Sequence, residues 1–447
     1  MLVEFSVTNY RSIGEKQTLS LTPAPKQKEY PKNIISENQF SALNVIAIYG
    51  SNASGKSNLL RCISVMDEIV HISSRTSSTT KLPYDPFALK EGYLDKPTEF
   101  EVVFVADEKR YRYGFCYNQS SIIREWLYRK NVGREVPLFL REDDVIDVRS
   151  GFQGSKKLID TAVEATRNNA LFLSQCDSLN VEEATMLMAW FNTLHVINGL
   201  YTEKHEVSTV ELWQQTAYRE RINQYINSIA MDIQGINISI KKLNENDLPP
   251  DMPAPMRENL AGMSKYNVQS FHHTYSKDNA PTNEFISWDF DKHESEGSKK
   301  ALQLSGPVLS ALMNGEILVI DEMEAKLHPI ITLNIIDMFL DSNCNPKHAQ
   351  LVLPPMTPTC SAIQNSAETK STSLKRTNGK ALNCSRCLTS CILTRKTEKS
   401  SKKRNGRTLT RKDGIWKAAM VPSPFWAISR TKSTDCYGKE RITKGAT

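Results

Sequence analysis

Three short runs of mostly apolar residues punctuate the chain. They are Val45–Tyr49, Ile317–Ile320 and Gln350–Leu353. Short continuous runs of this kind are typical of strands buried on both faces, as in the sheet of an α/β protein. We therefore predict three buried strands at these positions.

Other stretches follow different periodicities. Residues 98–118, TEFEVVFVADEKRYRYGFCYN, alternate apolar and polar side chains and predict a β-hairpin with Asp107 and Glu108 near its turn. Residues 155–240 predict mainly helices, and residues 246–256 an exposed proline-rich loop. No heptad pattern is sustained, so any coiled-coil arm is short. A further amphipathic helix precedes the second apolar run, with its apolar positions at Leu302, Leu304, Val308, Leu309 and Leu312.

A glycine-rich loop follows the first apolar run. In NVIAIYGSNASGKSNLL a strand, the pattern GxxxxGK[ST] and a helical pattern occur in succession, which is the arrangement of a P-loop. Such a loop aims backbone N–H groups at phosphate oxygens, its lysine reaches the β- and γ-phosphates, and its serine hydroxyl ligates Mg²⁺. The predicted ATP-binding residues are Gly50, Ser51, Asn52, Ala53, Ser54, Gly55, Lys56 and Ser57.

Two adjacent acids end the second apolar run, in GEILVIDEMEAKLHP. Open α/β sheets bind ligands at the carboxyl ends of their strands, so Asp321 is predicted to hold Mg²⁺ and Glu322 to activate the attacking water. The turn Ser295-Glu296-Gly297-Ser298 precedes the amphipathic helix. On spacing alone it is interpreted as an ordinary helix cap.

Four motifs in order resemble the ABC-type ATPases of the RecF and SMC class, and in particular bacterial AAA-type ATPases of the RloA/AbiL kind, found beside restriction and phage-defence genes. The motifs are FSVTNYRSI (5–13), GSNASGKSNLL, ESEGSKKALQL and DEMEAKLHP, and the resemblance covers roughly residues 1–350. It implies head-to-tail homodimers that sandwich ATP and Mg²⁺. Ser295 and Gly297 would contact the γ-phosphate held by the other subunit, and Asn9 and Arg11 would lie near the nucleotide of their own subunit.

Some residues keep two interpretations. Gln175 is either the Mg²⁺-sensing glutamine of related ATPases or a polar residue on a helix surface. His272 and His273 are interpreted as structural, because two histidines without further ligands seldom form a metal site.

Charge changes abruptly after the third apolar run. Residues 351–447 contain 20 Lys/Arg and 5 Asp/Glu, which leaves 36 and 45 in the preceding 350 residues. A basic tail on an acidic body favours a nucleic-acid arm. The spacing of Cys384, Cys387 and Cys391 favours zinc, although no histidine follows as a fourth ligand. Neither interpretation explains why strand, helix and acid patterning stop together.

A shift of the reading frame near Leu353 explains that change. ATPases of the resembling class have a switch histidine after the third strand, within a Thr-His-Asp turn. If one nucleotide was lost, LPPMTPTCSA (353–362) is compatible with an original F-T-T-H-D-T-N-L-L-S. Its aspartate is forced, because the codon of Met356 ends in G and that of Thr357 begins with AC. The continuation is compatible with N-S-K-F-R-R-D-Q-I-Y-F-F-E-K-D-K-W, a helix and then a strand.

We therefore predict an α/β P-loop NTPase, an ABC-ATPase-like head with a mixed sheet and a helical lobe, and a disordered or aberrant C-terminal tail. The head spans residues 1–350 and has three parts. They are a P-loop half (1–65), a β-hairpin and helical lobe (66–290), and a half (291–350) with the serine-glycine turn, or signature, and the Asp-Glu pair, or Walker B motif. Residues 351–447 are predicted to be an out-of-frame basic tail, and a genuine disordered basic extension is the alternative.

The function expected from these features is an ATP-hydrolysing dimeric switch of a prokaryotic defence or restriction-associated system, with hydrolysis impaired in this chain. The expected partners are a second copy and an effector protein from a neighbouring gene, and a nucleic-acid partner stays open. The alternative function is a non-catalytic, nucleotide-stabilised DNA-tethering or scaffold module. Without a signal peptide or an apolar run of about 18 residues, we expect a cytoplasmic protein and no membrane partner.

Overall fold

The computed structural model describes most of the chain up to residue 354. The described residues are 1–24, 31–50, 53–229, 233–244, 248–249, 252–260, 262–278 and 280–354, together with the backbone of 371–376 and 382–386. All of them belong to one compact unit, Met1–Arg386.

The strands are β1 (Leu2–Thr8), β2 (Gln17–Ser20), β3 (Ile34–Glu37), β4 (Phe40–Leu43), β5 (Val45–Gly50), β6 (Thr98–Ala106), β7 (Lys109–Tyr117), β8 (Ile122–Lys130), β9 (Val136–Glu142), β10 (Val145–Val148), β11 (Leu194–Asn198), β12 (Gly235–Lys242), β13 (Ser264–Tyr275), β14 (Pro281–Asp289), β15 (Ile317–Asp321), β16 (Gln350–Leu353), β17 (Ser371–Arg376) and β18 (Leu382–Arg386). The helices are α1 (Lys56–Ile72), α2 (Lys156–Ala165), α3 (Phe172–Ser178), α4 (Glu182–Phe191), α5 (Glu203–Trp213), α6 (Thr216–Ile229), α7 (Ala254–Leu260), α8 (Phe290–His293), α9 (Glu296–Asn314) and α10 (Pro329–Leu340).

Two large sheets organise these elements. One is antiparallel, with strand order β10-β9-β8-β7-β6-β1-β2. The other has the order β11-β15-β16-β5-β17-β18, and its strands run parallel except for the antiparallel pair β17 and β18. Smaller sheets are formed by β12-β13-β14 and by β3-β4. The mixed second sheet with its surrounding helices confirms the predicted α/β class.

The three apolar runs form buried strands, as predicted, and the structure places these strands next to one another in the mixed sheet. Alternate residues of β15 face opposite cores: Ile317 and Val319 join the cluster that contains α1 and the antiparallel sheet. Leu318 and Ile320 join a second cluster with residues of α5, α6, α9 and α10. Burial on both faces explains why these strands lack alternation in the sequence.

A buried glutamine joins the two large sheets. Gln350, at the start of β16, is 1% exposed. Its amide oxygen accepts from the Leu2 backbone N–H, and its amide nitrogen donates to the carbonyls of Leu2 and Leu43, at 3.0 and 2.9 Å. The polar first residue of an otherwise apolar run is therefore fully hydrogen-bonded.

Helix α9 follows the predicted amphipathic pattern. Its five predicted apolar positions are all buried. It packs closely on α5 at Gly306, where an added Cβ would lie 2.5 Å from the Thr209 hydroxyl. That hydroxyl accepts from the Gly306 N–H at 3.1 Å and lies 3.3 Å from the Gln303 carbonyl. Pro307 cannot supply the N–H that this carbonyl would otherwise accept, so Thr209 helps α9 to tolerate the proline.

Three sequence expectations are resolved by these elements. The hairpin of residues 98–118 is confirmed as β6 and β7, with Asp107 and Glu108 in left-handed conformations at the turn. The expectation of mainly helices in 155–240 is corrected at two places: Leu194–Asn198 is strand β11 beside β15, and strand β12 begins at Gly235. Part of the proline-rich segment 246–256 lies outside the described residues, and residues 254–256 begin helix α7 rather than continuing a loop. No helix in the described ranges has the length and apolar character needed to cross a membrane.

Candidate functional site

The described part of the loop between β5 and α1 carries two left-handed residues just before the helix. Strand β5 ends at Gly50, and α1 begins at Lys56. Ala53 and Gly55 adopt left-handed conformations, with φ of +58° and +93°. The Lys56 ammonium donates a 2.7 Å hydrogen bond to the Gly50 carbonyl, so its side chain lies back across the loop. The loop thus keeps the cation beside the backbone groups that would cradle phosphate.

Ser54 is a buried residue of this loop. The residue is 2% exposed, and its Oγ makes no hydrogen bond within the described part of the chain. Buried polar atoms are rarely left unpaired, because the desolvation cost is roughly 1–3 kcal/mol. Ser57 is exposed in the first turn of α1, and Ser51 and Asn52 lie outside the described residues.

The acidic pair lies at the same edge of the sheet as this loop. Strand β15 ends at Asp321, and β16 alone separates it from β5. Because the strands run parallel about 4.8 Å apart, the ends of β15 and β5 are separated by roughly 10 Å. The Oδ1 atom of Asp321 is buried and has no partner among the described residues. Glu322 follows in a left-handed conformation with φ of +52°, which is uncommon for a residue with a side chain.

Gly199 supports the backbone of this acidic pair, and the sequence pattern did not point to it. Its N–H donates a 2.7 Å hydrogen bond to the Asp321 carbonyl. A Cβ at this position would lie 2.6 Å from the Glu322 carbonyl oxygen. Only glycine therefore fits here without moving the loop that carries Glu322. The signal in the sequence is the glycine after LHVIN (194–198), a run that the sequence pattern predicts as part of a helical region.

The predicted serine-glycine turn packs on the loop after Asp321. Ser295 caps α9, and its hydroxyl accepts a 3.1 Å hydrogen bond from the Ser298 N–H. A Cβ on Gly297 would lie 3.3 Å from the Lys326 carbonyl, and the Lys326 ammonium pairs with Glu296 at 3.4 Å. The capping function expected from the spacing is confirmed. The exposed position of Ser295 leaves it accessible to another molecule.

Lys300 is a second residue that the sequence pattern did not reveal. It lies on α9 and is 2% exposed. Its ammonium donates to the backbone carbonyls of Glu322, at 3.3 Å, and Ala325. Burial lowers the pKa of Lys300 to about 8; the positive charge of Lys326 adds to this shift and the charge of Glu322 opposes it.

Asn9 and Arg11 lie in the turn between β1 and β2, in left-handed conformations. Asn9 is buried, and its side chain bonds backbone groups of the segment 87–97, including the Phe87 N–H and the Tyr93 carbonyl, both at 3.0 Å. Arg11 donates from its backbone and from Nε to Asp85, both at 2.7 Å. The contacts of the Asn9 side chain are thus within the head's own framework.

The same turn is joined to the P-loop helix. The amide of Asn58, next to Ser57, donates a 2.7 Å hydrogen bond to the Ser12 hydroxyl. The structure therefore places the turn that carries Arg11 beside the first turn of α1.

The remaining candidates have structural surroundings. Gln175 is half-buried on α3. His272 bonds the carboxylate of Glu294 at 2.8 Å, and His273 bonds the Thr282 carbonyl at 3.1 Å. Among the described residues, no three His, Cys, Asp or Glu side chains cluster as metal ligands.

The residues at the sheet edge fit a nucleoside triphosphate with Mg²⁺. A lysine ammonium, a left-handed glycine at the helix start and an unpaired buried hydroxyl suit phosphate oxygens. The unpaired Asp321 oxygen and the exposed Ser57 hydroxyl are hard donors of the kind that Mg²⁺ takes from proteins, beside phosphate and water. These two side chains would hold the ion, and Glu322 directly follows Asp321 in the chain.

A strand, a GxxxxGK[ST] loop and a helix define a P-loop ATPase, together with a parallel strand of the same sheet that ends at Asp321 and is followed by Glu322. The sequence comparison is more specific. Residues 45–353 match the family described as "AAA domain, putative AbiEii toxin, Type IV TA system", and the chain belongs to this family. Its members' P-loop implies ATP binding.

Solved structures of similar architecture are distant from this chain. The SMC head domain from Thermotoga maritima is 14% identical with a TM-score of 0.39, and the alignment covers 86% of this chain and 98% of that one. The recombination mediator RecF bound to ATP is 14% identical with a TM-score of 0.34, covering 86% and 99%. None of the curated proteins compared with the chain matches it.

Proposed function

We propose that the chain is an ATP-binding and ATP-hydrolysing dimeric switch of a prokaryotic defence or restriction-associated system. The observation that carries the proposal is a pair of buried oxygens, Ser54 Oγ and Asp321 Oδ1, that have no partner among the described residues and lie at the edge that also holds Lys56. Both oxygens at this edge of the sheet would gain partners if a ligand with hydrogen-bond donors and a cation bound there. The family description, a putative toxin of a toxin–antitoxin system, supports a defence setting.

In this proposal the residues divide the hydrolysis reaction among them. Lys56 leaves the Gly50 carbonyl and binds the β- and γ-phosphates, while Ser57 and Asp321 hold Mg²⁺. The ion supplies charge neutralisation on the phosphate oxygens. Glu322 orients a water molecule and takes its proton as the water oxygen bonds to the γ-phosphorus and the bond to the bridging oxygen breaks. ADP and phosphate are the products.

The dimeric part of the proposal assigns Ser295 and Gly297 to the nucleotide bound by the other subunit, and Arg11, with Asn9 behind it, to the nucleotide of its own. An exposed Ser295 is free to make such a contact, and the bond between Ser12 and Asn58 supports the position of Arg11. ATP closure of the paired heads in the cytoplasm would then gate an effector from a neighbouring gene.

We also propose that residues 351–447 are out of frame and that hydrolysis is impaired for this reason. The present frame lacks the Thr-His-Asp turn after β16. The backbone of Ser371–Arg376 forms β17 beside β5, and the restored frame has I-Y-F-F-E-K at these positions, a sequence suited to a buried strand. The nucleotide sequence across codons 350–357 tests this: a T-run one base short is expected, and an intact run would contradict it.

The test of the enzymatic proposal is Glu322→Gln, measured by single-turnover ATP hydrolysis. We expect a loss of about 100-fold or more, because the general base is removed. Glu324→Gln removes a carboxylate two residues away in the same loop and is the matched control, which should keep the parent's rate. A Glu322→Gln variant that hydrolyses ATP as fast as the parent would support the non-catalytic scaffold module instead.

A further inference from the structure

We propose that Lys300 is a positioning residue: its ammonium fixes the backbone that presents Glu322 and transmits the position of the serine-glycine turn to it. This inference rests on the proposed ATP hydrolysis by Glu322. Three observations carry it, namely the burial of the ammonium, the conformation of Glu322 and the contacts of the turn.

A buried ammonium is costly unless it is fully bonded. Lys300 is 2% exposed, yet neither of its hydrogen bonds to the loop after Asp321 is to a carboxylate; both are to carbonyls, of Glu322 and Ala325. A salt bridge would have compensated the charge better than two neutral acceptors do. The Lys300 ammonium therefore binds the backbone of this loop and does not bind the Glu322 carboxylate.

The Glu322 backbone needs such support. Its φ of +52° lies in the left-handed region, which costs a residue with a side chain roughly 1–2 kcal/mol. Gly199 holds the loop through the Asp321 carbonyl, and Lys300 holds it through the Glu322 carbonyl. Together they fix the direction in which the Glu322 side chain leaves the strand.

The hydrogen bonds of Lys300 also connect the serine-glycine turn with the loop that carries Glu322. Lys300 lies five residues after Ser295, on the rigid helix that this serine caps. The turn itself touches the same loop, through Gly297 against the Lys326 carbonyl and through the Glu296–Lys326 pair. A shift of the turn when it engages a second subunit would therefore move Lys300 and the Glu322 backbone together. Each subunit's own Glu322 would be set by what its serine-glycine turn binds.

The test compares Lys300→Met with Lys292→Met, which removes an exposed ammonium of α8 paired with Asp289. We expect Lys300→Met to lower the single-turnover rate constant roughly 10- to 100-fold, the range for a small displacement of a reacting group. The Kd for a fluorescent ATP analogue should change less than twofold, which also shows that the variant folds. Lys292→Met should match the parent in both measurements.

A pH profile of the parent gives a second readout that requires no folded variant. The charges acting on Lys300 are Lys326 and Glu322 from the loop, and Glu296 is occupied by Lys299 and Lys326. As the ammonium loses its proton above about pH 8, its hydrogen bonds to the carbonyls weaken and the rate should fall severalfold at unchanged Kd. Lys300→Arg, which stays charged, should not show this fall.

The outcomes separate the two proposals. If Glu322→Gln hydrolyses as fast as the parent, the proposed function fails and the inference with it. If Glu322→Gln is slow but Lys300→Met keeps the parent's rate, or the parent's rate is flat from pH 7 to 9.5, only the assignment of Lys300 is overturned.

Discussion

The antiparallel sheet and the edge of the parallel sheet both bury polar groups, with opposite results. Glu125 and Glu183 project from the antiparallel sheet and its neighbouring helix, and all four carboxylate oxygens are hydrogen-bonded. At the edge of the parallel sheet, Ser54 Oγ and Asp321 Oδ1 have no partner in the described ranges. The two saturated carboxylates maintain the fold, whereas the two unpaired oxygens lie at the edge where we propose that a nucleotide binds.

Glu125 shows how complete the saturation is. Its carboxylate accepts from the backbone N–H groups of Phe172 and Leu173, at 2.6 and 3.0 Å, and from the Tyr113 hydroxyl at 2.9 Å. Arg141 lies 3.9 Å away, and both side chains are at most 1% exposed. The carboxylate therefore caps α3 from strand β8 and attaches this helix to the antiparallel sheet. Burial still raises the pKa of Glu125, with the charge of Arg141 opposing it.

The largest expected effect of a substitution on stability is that of Glu125→Gln. It leaves the Arg141 guanidinium buried without a compensating charge and removes an acceptor from α3. We expect the free energy of unfolding to fall by about 3–5 kcal/mol in urea titrations. Glu142→Gln, an exposed carboxylate on β9, should stay within about 0.5 kcal/mol. Similar losses for the two variants would contradict the structural assignment of Glu125.

Glu183→Gln should cost less, about 2–3 kcal/mol, by the same measurement. Glu183 accepts from Tyr111 at 2.8 Å and pairs with Arg129 at 2.9 Å, but the arginine side chain is 17% exposed. Water can therefore solvate Arg129 when its partner loses charge. A larger loss of stability for Glu183→Gln than for Glu125→Gln would show that the exposure of the paired arginine does not determine which substitution costs more.

Gly199→Ala is expected to destabilise by about 1–3 kcal/mol, because the new methyl group must displace the Glu322 carbonyl. The rate of hydrolysis should fall more than the affinity for nucleotide, because the displaced carbonyl belongs to Glu322, the proposed base, and not to the phosphate-binding loop. Gly133→Ala is the control, because an added Cβ there meets nothing within 4 Å, and its φ of +86° strains an alanine there for a reason other than contact. Equal effects of the two variants on hydrolysis would mean that the close contact at Gly199 is unimportant.

The smallest effect on stability is expected for Asp321→Asn without nucleotide, within about 1 kcal/mol of the parent. Its buried oxygen has no hydrogen bond to lose within the described residues, and the substitution removes a charge. Urea titration of the ligand-free protein measures this. A loss as large as that of Glu183→Gln would indicate that Asp321 is part of the framework.

The sequence predicted the elements that depend on local signals. The P-loop and the Asp-Glu pair lie within short motifs, so β5, α1 and β15 followed directly. Strand β11 was missed because its apolar run is short and lies among helical patterns. Gly199 and Lys300 depend on contacts with residues more than twenty positions away along the chain, which no local pattern encodes. The resemblance placed Asn9 near the nucleotide, but its bonds to the segment 87–97 required the structure.

The most direct test of the comparison is the Mg²⁺-dependent part of stabilisation by ATP. A ligand at 100 times its Kd stabilises the folded state by about 2.7 kcal/mol. We predict that Mg²⁺ adds to the stabilisation by ATP in the parent and in Glu125→Gln, measured in each against its own ligand-free state, and adds nothing in Asp321→Asn. A full Mg²⁺ increment in Asp321→Asn would contradict the assignment of the unpaired oxygen to the nucleotide site.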